Sequence, residues 1–167
     1  MYKYTVLVLF LSSIWACNNP KSSTNMATAT VQDTSTYKLS LAEWSFHKAL
    51  KDKKMDHLGF IAKAGAMGFS GVEYVNQFFA DKASDTSYLN KMTAASKKAG
   101  VEQLLIMIDN EGYLADMDKA KRDSAVINHY KWVDAAAYLG CHAIRVNAHG
   151  EGNADEVAAA AIDGLSR

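Results

Sequence analysis

Residues 140–150 have the sequence GCHAIRVNAHG and contain a turn, a short strand and a polar strand end. A glycine follows an amphipathic helical segment and leads into an apolar strand, and Arg145, Asn147 and His149 stand at or just beyond the strand's carboxyl end. In α/β folds, ligands bind at this edge of the sheet. Because a similar pattern occurs earlier in the chain, we expect several polar strand ends to converge on one rim.

The repeating unit is a helix end, a glycine and a strand, and it occurs in residues 62–75, 94–109 and 135–147. Gly68, Gly100 and Gly140 are expected to end helices in the left-handed conformation. A further strand is predicted at residues 39–44, before the first helix. The order β-α-β-α-β-α-β-α predicts parallel strands joined by right-handed crossovers.

The helices between these strands carry start signals and apolar stripes. Asp85 precedes the second helix, Asp116 or Asp118 is positioned to cap the third, and Asp155 and Glu156 stand where a fourth begins. The third helix has apolar residues at intervals of three and four, which predicts that this face packs on the sheet. These residues are Val126, Tyr130, Val133 and Ala137.

The fold class predicted from this pattern is α/β, with repeated βα units and parallel strands that form half of a (β/α)8 TIM barrel. Residues 37–167 hold about four units, whereas a complete barrel takes about 250 residues. Such a half is a gene fragment, a truncated chain or a piece that pairs with another half. The alternative is a small doubly wound domain, but no phosphate-binding glycine fingerprint follows the first strand.

The first 36 residues differ in composition from the rest. Lys3 precedes an apolar run from Val6 to Trp15, which is shorter than the about 20 residues that span a bilayer. With Ala16-Cys17 it resembles a bacterial lipobox, so residues 1–17 are predicted to be a signal peptide with Cys17 as the lipidated residue; an ordinary cleaved signal peptide is the alternative. Residues 18–36 are rich in Ser, Thr and Asn and are predicted to be a flexible tether. We therefore expect an exported, membrane-anchored lipoprotein on the periplasmic side of the cell envelope.

Charge and cysteine content exclude some functional classes. Lys and Arg total 18 and Asp and Glu total 18, so the formal net charge is zero, and the cations are scattered, which argues against nucleic-acid binding. Cys141 is the only cysteine besides Cys17, so no internal disulfide is expected, and its place at a strand entrance predicts a small buried hydrophobe.

The strand ends supply the candidate site. Carboxylates, imidazoles and amides that converge on one rim suit a divalent metal or a polyhydroxylated ligand, and Trp44 offers an apolar platform for a sugar ring. By strand alternation Val72 and Tyr74 face the helices while Glu73 and Arg145 face the barrel interior. Glu73 and Arg145 stand on alternate strands, so we expect them to share one layer, either as a structural ion pair or as substrate contacts.

These segments resemble the xylose isomerase-like TIM-barrel superfamily, the sugar phosphate isomerase/epimerase group. The resemblance covers nearly the whole chain after residue 36 and rests on residues 44–45, 71–76, 106–112, 128–136, 139–141 and 145–147. It implies isomerisation or epimerisation of a sugar, in which a divalent metal ion polarises a carbonyl while carboxylates move the proton. The group's metal ligands come mainly from later strands, so the resemblance assigns no metal ligand to this chain.

The resemblance and the strand ends together lead to a residue-level prediction. Glu73 and Glu111 are the predicted catalytic residues. The predicted substrate-binding residues are Trp44, His47, Asn76, Asp109, Arg145, Asn147 and His149.

Three functions remain open at this point. The first is a sugar isomerase or epimerase barrel of which this chain is the amino-terminal half, inactive by itself. The second is a non-enzymatic sugar-binding lipoprotein, and the third is a degenerate fragment without activity. Because half a barrel exposes strand edges and an apolar sheet face, self-association is also expected.

Overall fold

A computed structural model describes residues 37–167. The predicted signal peptide, Cys17 and the tether lie outside the described residues. The strands are β1 (Ser40–Ala42), β2 (Gly71–Val75), β3 (Glu102–Met107) and β4 (Ala143–Arg145). The helices are α1 (His47–Lys51), α2 (His57–Ala66), α3 (Thr86–Ala99), α4 (Lys119–Leu139) and α5 (Ala154–Leu165), and short 3-10 turns cover Glu43–Phe46, Asn76–Phe78 and Ala80–Lys82.

The four strands form one parallel sheet in the order β1-β2-β3-β4. A doubly wound sheet reverses its strand order at a switch point, whereas a barrel adds each new strand beside the last. The sequential order therefore confirms the predicted α/β fold with parallel strands and favours a partial TIM barrel over the doubly wound alternative.

The predicted helix signals are largely confirmed. Asp85 and Asp118 cap α3 and α4 by accepting hydrogen bonds from backbone N–H groups, so Asp118, and not Asp116, caps α4. Asp155 and Glu156 lie in the first turn of α5, and Asn153 forms a capping box with Glu156.

Left-handed glycines separate three of the helices from the strands that follow. Gly68, Gly100 and Gly140 have φ of 83°, 69° and 76°, which a side chain would strain. These turns allow each strand to start two or three residues after its glycine, as the repeat predicts.

The main core lies between the sheet and its helices. Val72, Tyr74 and Ile106 are fully buried there, which confirms the predicted alternation on β2. Cys141 packs against the same core, and burial raises the pKa of its thiol to about 12, in keeping with the predicted role as a small hydrophobe.

The predicted sheet-facing stripe of α4 is wrong for three of its four residues. Val126 is buried, but Tyr130 and Val133 are about half exposed, and Ala137 is exposed. Trp132 instead fills the core, with its ring 5.2 Å from that of Phe79 in an edge-on contact. The buried face of α4 is therefore the one that carries this large indole and the small alanines beside it, which let the helix approach the sheet closely. No helix within residues 37–167 is both long and apolar enough to span a membrane.

Helix α5 docks on α4 and on the loop after β3. Arg122 of α4 pairs with Asp163 of α5 at 2.7 Å and lowers the pKa of that carboxyl group. Gly164 is buried, and a Cβ atom at this position would overlap the carbonyl oxygen of Leu114. A side chain at position 164 is therefore incompatible with this close approach.

We predict that Gly164→Ala destabilises the protein by about 1–3 kcal/mol through overpacking. Helix propensity alone predicts the opposite sign, a gain of about 1 kcal/mol for replacing glycine by alanine in a helix. Urea unfolding of the full chain measures the change, and Ala159→Gly at an exposed position of α5 is the control for propensity. A Gly164→Ala variant more stable than the parent would contradict the close contact.

Candidate functional site

A cleft of about 600 Å³ opens at the carboxyl ends of the strands, where the repeat predicts the site. Its lining combines two aromatic rings with amides and one carboxylate. We call it the rim cleft, and it is lined by Trp44, Gln77, Asp109, Asn110, Gly112, Tyr113 and Asn147.

The first strand ends in a buried carboxylate. The chain leaves β1 at Ala42 and turns into a 3-10 helix, so the predicted strand 39–44 is shorter than expected and Glu43 points into the core at 0% exposure. Its Oε1 lies 2.5 Å from Nδ1 of His57, and its Oε2 accepts a 2.9 Å hydrogen bond from the backbone N–H of Val75. One side chain therefore links β1, the start of α2 and the end of β2.

His57 is held within an aromatic cluster. Its ring centroid lies 5.2 Å from that of Tyr74, 4.6 Å from that of Phe79 and 6.1 Å from that of Tyr88. Within residues 37–167, Nε2 of His57 has no hydrogen-bond partner. Burial raises the pKa of the Tyr74 phenol, with Cys141 and Glu43 adding to the effect. This is a structural environment, as the sequence suggests for a histidine on a helix face.

Asn76 joins the ends of β2 and β3. Its amide nitrogen donates to the carbonyl oxygen of Asp109 at 2.9 Å, and its amide oxygen accepts from the N–H of Asp109 at 3.0 Å. The side chain is buried, and both of its polar atoms are engaged by one backbone residue. Asn76 therefore positions Asp109, and it does not line the rim cleft.

Asp109 continues this connection to β4. Its Oδ1 accepts hydrogen bonds from Arg145 at 3.1 Å and from the amide of Asn147 at 3.0 Å. The same Arg145 nitrogen donates to the side-chain oxygen of Asn147 at 2.8 Å. Three of the predicted binding residues thus form one cluster at the rim, and two of them, Asp109 and Asn147, line the rim cleft.

Trp44 forms one aromatic wall of the rim cleft. Its ring stacks on His47 with centroids 4.8 Å apart and an interplanar angle of 12°, and Nδ1 of His47 lies 2.7 Å from the Trp44 carbonyl oxygen. The ammonium group of Lys51 lies 4.8 Å from the indole centroid. His47 therefore supports Trp44 from the helix side.

Tyr113 forms the other aromatic wall. Its ring meets His149 edge-on with centroids 4.6 Å apart. Both residues line a smaller neighbouring cavity of about 340 Å³, and of the two only Tyr113 also lines the rim cleft.

The predicted contact between Glu73 and Arg145 is wrong. Glu73 accepts a hydrogen bond from Ser40 at 2.5 Å, while Arg145 pairs with Asp109. Glu73 aligns with Leu105 and through it with Ala143, two residues before Arg145, which is about 6.6 Å along the strand. Strand alternation correctly predicts that Glu73 points away from the helices, but the register between the strands places Glu73 and Arg145 in different layers.

Glu111 is turned away from the rim cleft. Its carboxylate accepts from the indole N–H of Trp132 at 2.7 Å and pairs with Lys131 at 2.9 Å, both on α4. The catalytic roles of Glu73 and Glu111 stay predictions. The structure does not bring these two carboxylates together with the residues of the rim cleft.

Four lining residues are absent from the predicted site: Gln77, Asn110, Gly112 and Tyr113. Each stands one or two residues after a predicted site residue, which is Asn76, Asp109 or Glu111. Their position after a strand end was the available signal, but which of several consecutive side chains faces a cleft depends on the loop's backbone.

The described residues do not by themselves form a metal centre. Within residues 37–167, no group of three or more His, Cys, Asp or Glu side chains is arranged to hold a metal ion. Asp109 is the one carboxylate in the lining of the rim cleft, its Oδ1 is engaged by Arg145 and Asn147, and the lining contains no imidazole or thiol. The described donor set does not fit the divalent ion that the family resemblance implies.

Comparison with known proteins identifies the fold. No protein-family model and no curated protein sequence matches the chain. Among solved structures it is similar to apo 3-keto-D-glucoside 4-epimerase YcjR from E. coli, at 15% identity and a TM-score of 0.54, over 77% of this chain and 48% of that one. It is also similar to D-psicose 3-epimerase in the presence of D-fructose, at 14% identity and a TM-score of 0.60, over 77% and 46%.

The chain therefore spans about half the length of these two solved structures. At this identity the similarity establishes the fold, a partial TIM barrel of the kind seen in sugar epimerases. It confirms the predicted fold class and leaves the activity to be argued from the rim cleft.

We predict that Glu43→Leu lowers the free energy of unfolding by about 3–5 kcal/mol, because it breaks a buried pair and leaves His57 and the Val75 N–H unsatisfied. The double variant Glu43→Leu/His57→Phe should lose less than the sum of the two single variants, with a coupling energy of about 0.5–3 kcal/mol. Urea unfolding measures all three. The control is Glu102→Leu, which removes the exposed pair with Lys38 and should cost less than about 1 kcal/mol. Strictly additive losses would contradict the pairing.

Proposed function

We propose that this chain supplies the first four βα units of a sugar isomerase or epimerase barrel and that its rim cleft binds the carbohydrate. The rim cleft carries the proposal, because it lies at the carboxyl ends of the barrel strands, where barrel enzymes bind their ligands. The fold similarity to two sugar epimerases supports the same substrate class.

The chemistry of the rim cleft suits a sugar. Trp44 and Tyr113 present apolar ring surfaces to C–H groups, and Gln77, Asn110 and Asn147 offer both donors and acceptors to hydroxyl groups. A ligand cleft that combines aromatic walls with a few polar side chains binds and orients a polyhydroxylated ring. The described residues thus account for sugar binding and orientation.

A second candidate function, that of a non-enzymatic sugar-binding protein, is favoured by the contacts that the three candidate carboxylates make within the protein. Asp109 is held by Arg145 and Asn147, Glu73 by Ser40, and Glu111 by Trp132 and Lys131. A general base must reach the substrate proton within about 2.6–3.2 Å. Because Glu73 and Glu111 do not line the rim cleft, sugar binding is the function that the described residues support by themselves.

The open sheet edges bear on self-association. In the described range, β1 pairs only with β2 and β4 pairs only with β3. We propose that these edges pair with further strands, either of a longer chain or of a second copy. Unpaired parallel strands expose backbone donors and acceptors that such pairing satisfies.

Binding of D-fructose or D-psicose to the full chain is the direct test of the proposed site. The indole N–H of Trp44, assigned by comparison with Trp44→Leu, should shift saturably in a ¹H–¹⁵N NMR titration. Trp44→Leu should weaken binding roughly 2- to 12-fold, since an aromatic contact contributes about 0.5–1.5 kcal/mol. Tyr130→Leu, at a half-exposed ring on α4, is the matched control and should bind like the parent.

The same samples distinguish the two functions. Interconversion of D-fructose and D-psicose, measured with and without Mg²⁺ or Mn²⁺, supports the enzyme, and saturable binding without interconversion supports the sugar-binding protein. An absence of saturable shifts at Trp44 would contradict both.

We further propose that the protein is exported and anchored to the cell envelope through Cys17. The proposal rests on the short apolar run before Ala16-Cys17 and on the polar segment 18–36 that follows. Mass spectrometry of the membrane fraction should find a diacylglyceryl-modified Cys17 at the mature amino terminus. Cys17→Ala should release the protein from that fraction, whereas Cys141→Ala, the control, should not. A mature terminus at another residue would refute the lipidation.

A further inference from the structure

We infer that Asp109 makes the rim cleft selective for uncharged sugars over sugar phosphates, by holding Arg145 and presenting a negative charge to the ligand. This inference rests on the proposed sugar-binding function and adds the ligand's charge class. Three observations support it: the charges in the rim cleft, the contacts of Arg145 and the free acceptor capacity of Asp109.

The one charged side chain in the lining of the rim cleft is acidic. Among the seven lining residues Asp109 is the only acidic or basic side chain, and the others are aromatic, amide or glycine. A phosphate group placed there would meet this carboxylate first, because its ion-pair partner Arg145 is not part of the lining.

Arg145 is the natural candidate for a phosphate ligand, but one nitrogen of its guanidinium group is already engaged. One nitrogen donates to Asp109 at 3.1 Å and to Asn147 at 2.8 Å, and the residue does not line the rim cleft. A phosphate that approached Arg145 from the rim cleft would meet the Asp109 carboxylate beside the same guanidinium group.

Lys51 is a cation beside the Trp44 wall of the rim cleft, 4.8 Å from the ring centroid. It is exposed, so its ammonium group is hydrated and its field is screened by salt. It therefore offers a phosphate ester much weaker attraction than a buried Arg fork would.

An uncharged sugar meets a favourable acceptor at the same carboxylate. Oδ1 of Asp109 is engaged by Arg145 and Asn147, while Oδ2 accepts only from Gln77 at 3.5 Å, which is long for a hydrogen bond. Oδ2 is thus available to accept from a sugar hydroxyl. A hydrogen bond to an ionised acceptor is about twice as strong as a neutral one.

Paired NMR titrations of the full chain with D-fructose, D-fructose 6-phosphate and inorganic phosphate test the inference. The parent should bind D-fructose about tenfold or more tightly than its phosphate ester. Asp109→Asn removes the charge and should strengthen binding of the ester by about tenfold, because Arg145 and the salt of the solution already reduce the repulsion far below that of two isolated charges. Asp134→Asn, an exposed position on α4, makes the same change in net charge and should leave the ratio unaltered.

Arg145→Gln is the second variant, and it does not depend on the folding of Asp109→Asn. It leaves the Asp109 carboxylate without its ion-pair partner, so the preference for D-fructose should grow. A preference that stays the same or falls would contradict the role of the Asp109 charge. A parent that prefers D-fructose 6-phosphate would overturn this inference while the proposed function stands. Binding of neither sugar would reject both.

Discussion

The arrangement of the rim depends on one buried carboxylate. Glu43 is fully buried at the end of β1 and contacts His57 of α2 and the backbone of Val75 at the end of β2. Burying a charge is costly unless it is hydrogen-bonded, so both partners must keep their positions whenever the protein is folded. Trp44 follows Glu43 directly, and Asn76 follows Val75. The contact between Glu43 and Val75 therefore fixes the backbone positions from which the Trp44 and Asn76 side chains extend.

From Glu43 the connection continues around the rim by side chains at successive strand ends. Asn76 holds the backbone of Asp109, and Asp109 holds Arg145 and Asn147. Polar groups that hold one another in place are preorganised, so a ligand need not bear the cost of ordering them. The rim cleft is therefore built mainly by positioning residues, and only some members of the chain of contacts face the ligand. Asn76 and His47 belong to the positioning residues, because they contact Asp109 and Trp44; their sugar-binding roles stay predictions.

The function that we propose from this arrangement is recognition of a polyol. Aromatic walls, amides and one carboxylate with a free acceptor atom match hydroxyl and C–H groups, and the fold is shared with two sugar epimerases at 14–15% identity. Because one fold hosts many functions, it is the residues of the rim cleft, and not the fold similarity, that indicate a sugar ligand. Proton transfer requires a base within reach of the substrate, and Glu73 and Glu111 are engaged elsewhere.

The amino-acid sequence by itself determined the repeating βα units, the glycines that end the helices, the parallel strands and the rim that carries the polar residues. These follow from local rules, because strand alternation, helix capping and left-handed glycines are properties of neighbouring residues. The tertiary structure decided which residues meet: Arg145 with Asp109 instead of Glu73, Glu111 with Trp132, and Trp132 instead of Tyr130 and Val133 on the buried face of α4. Register between strands, loop paths and helix rotation depend on packing between distant segments, and no spacing within one segment specifies them.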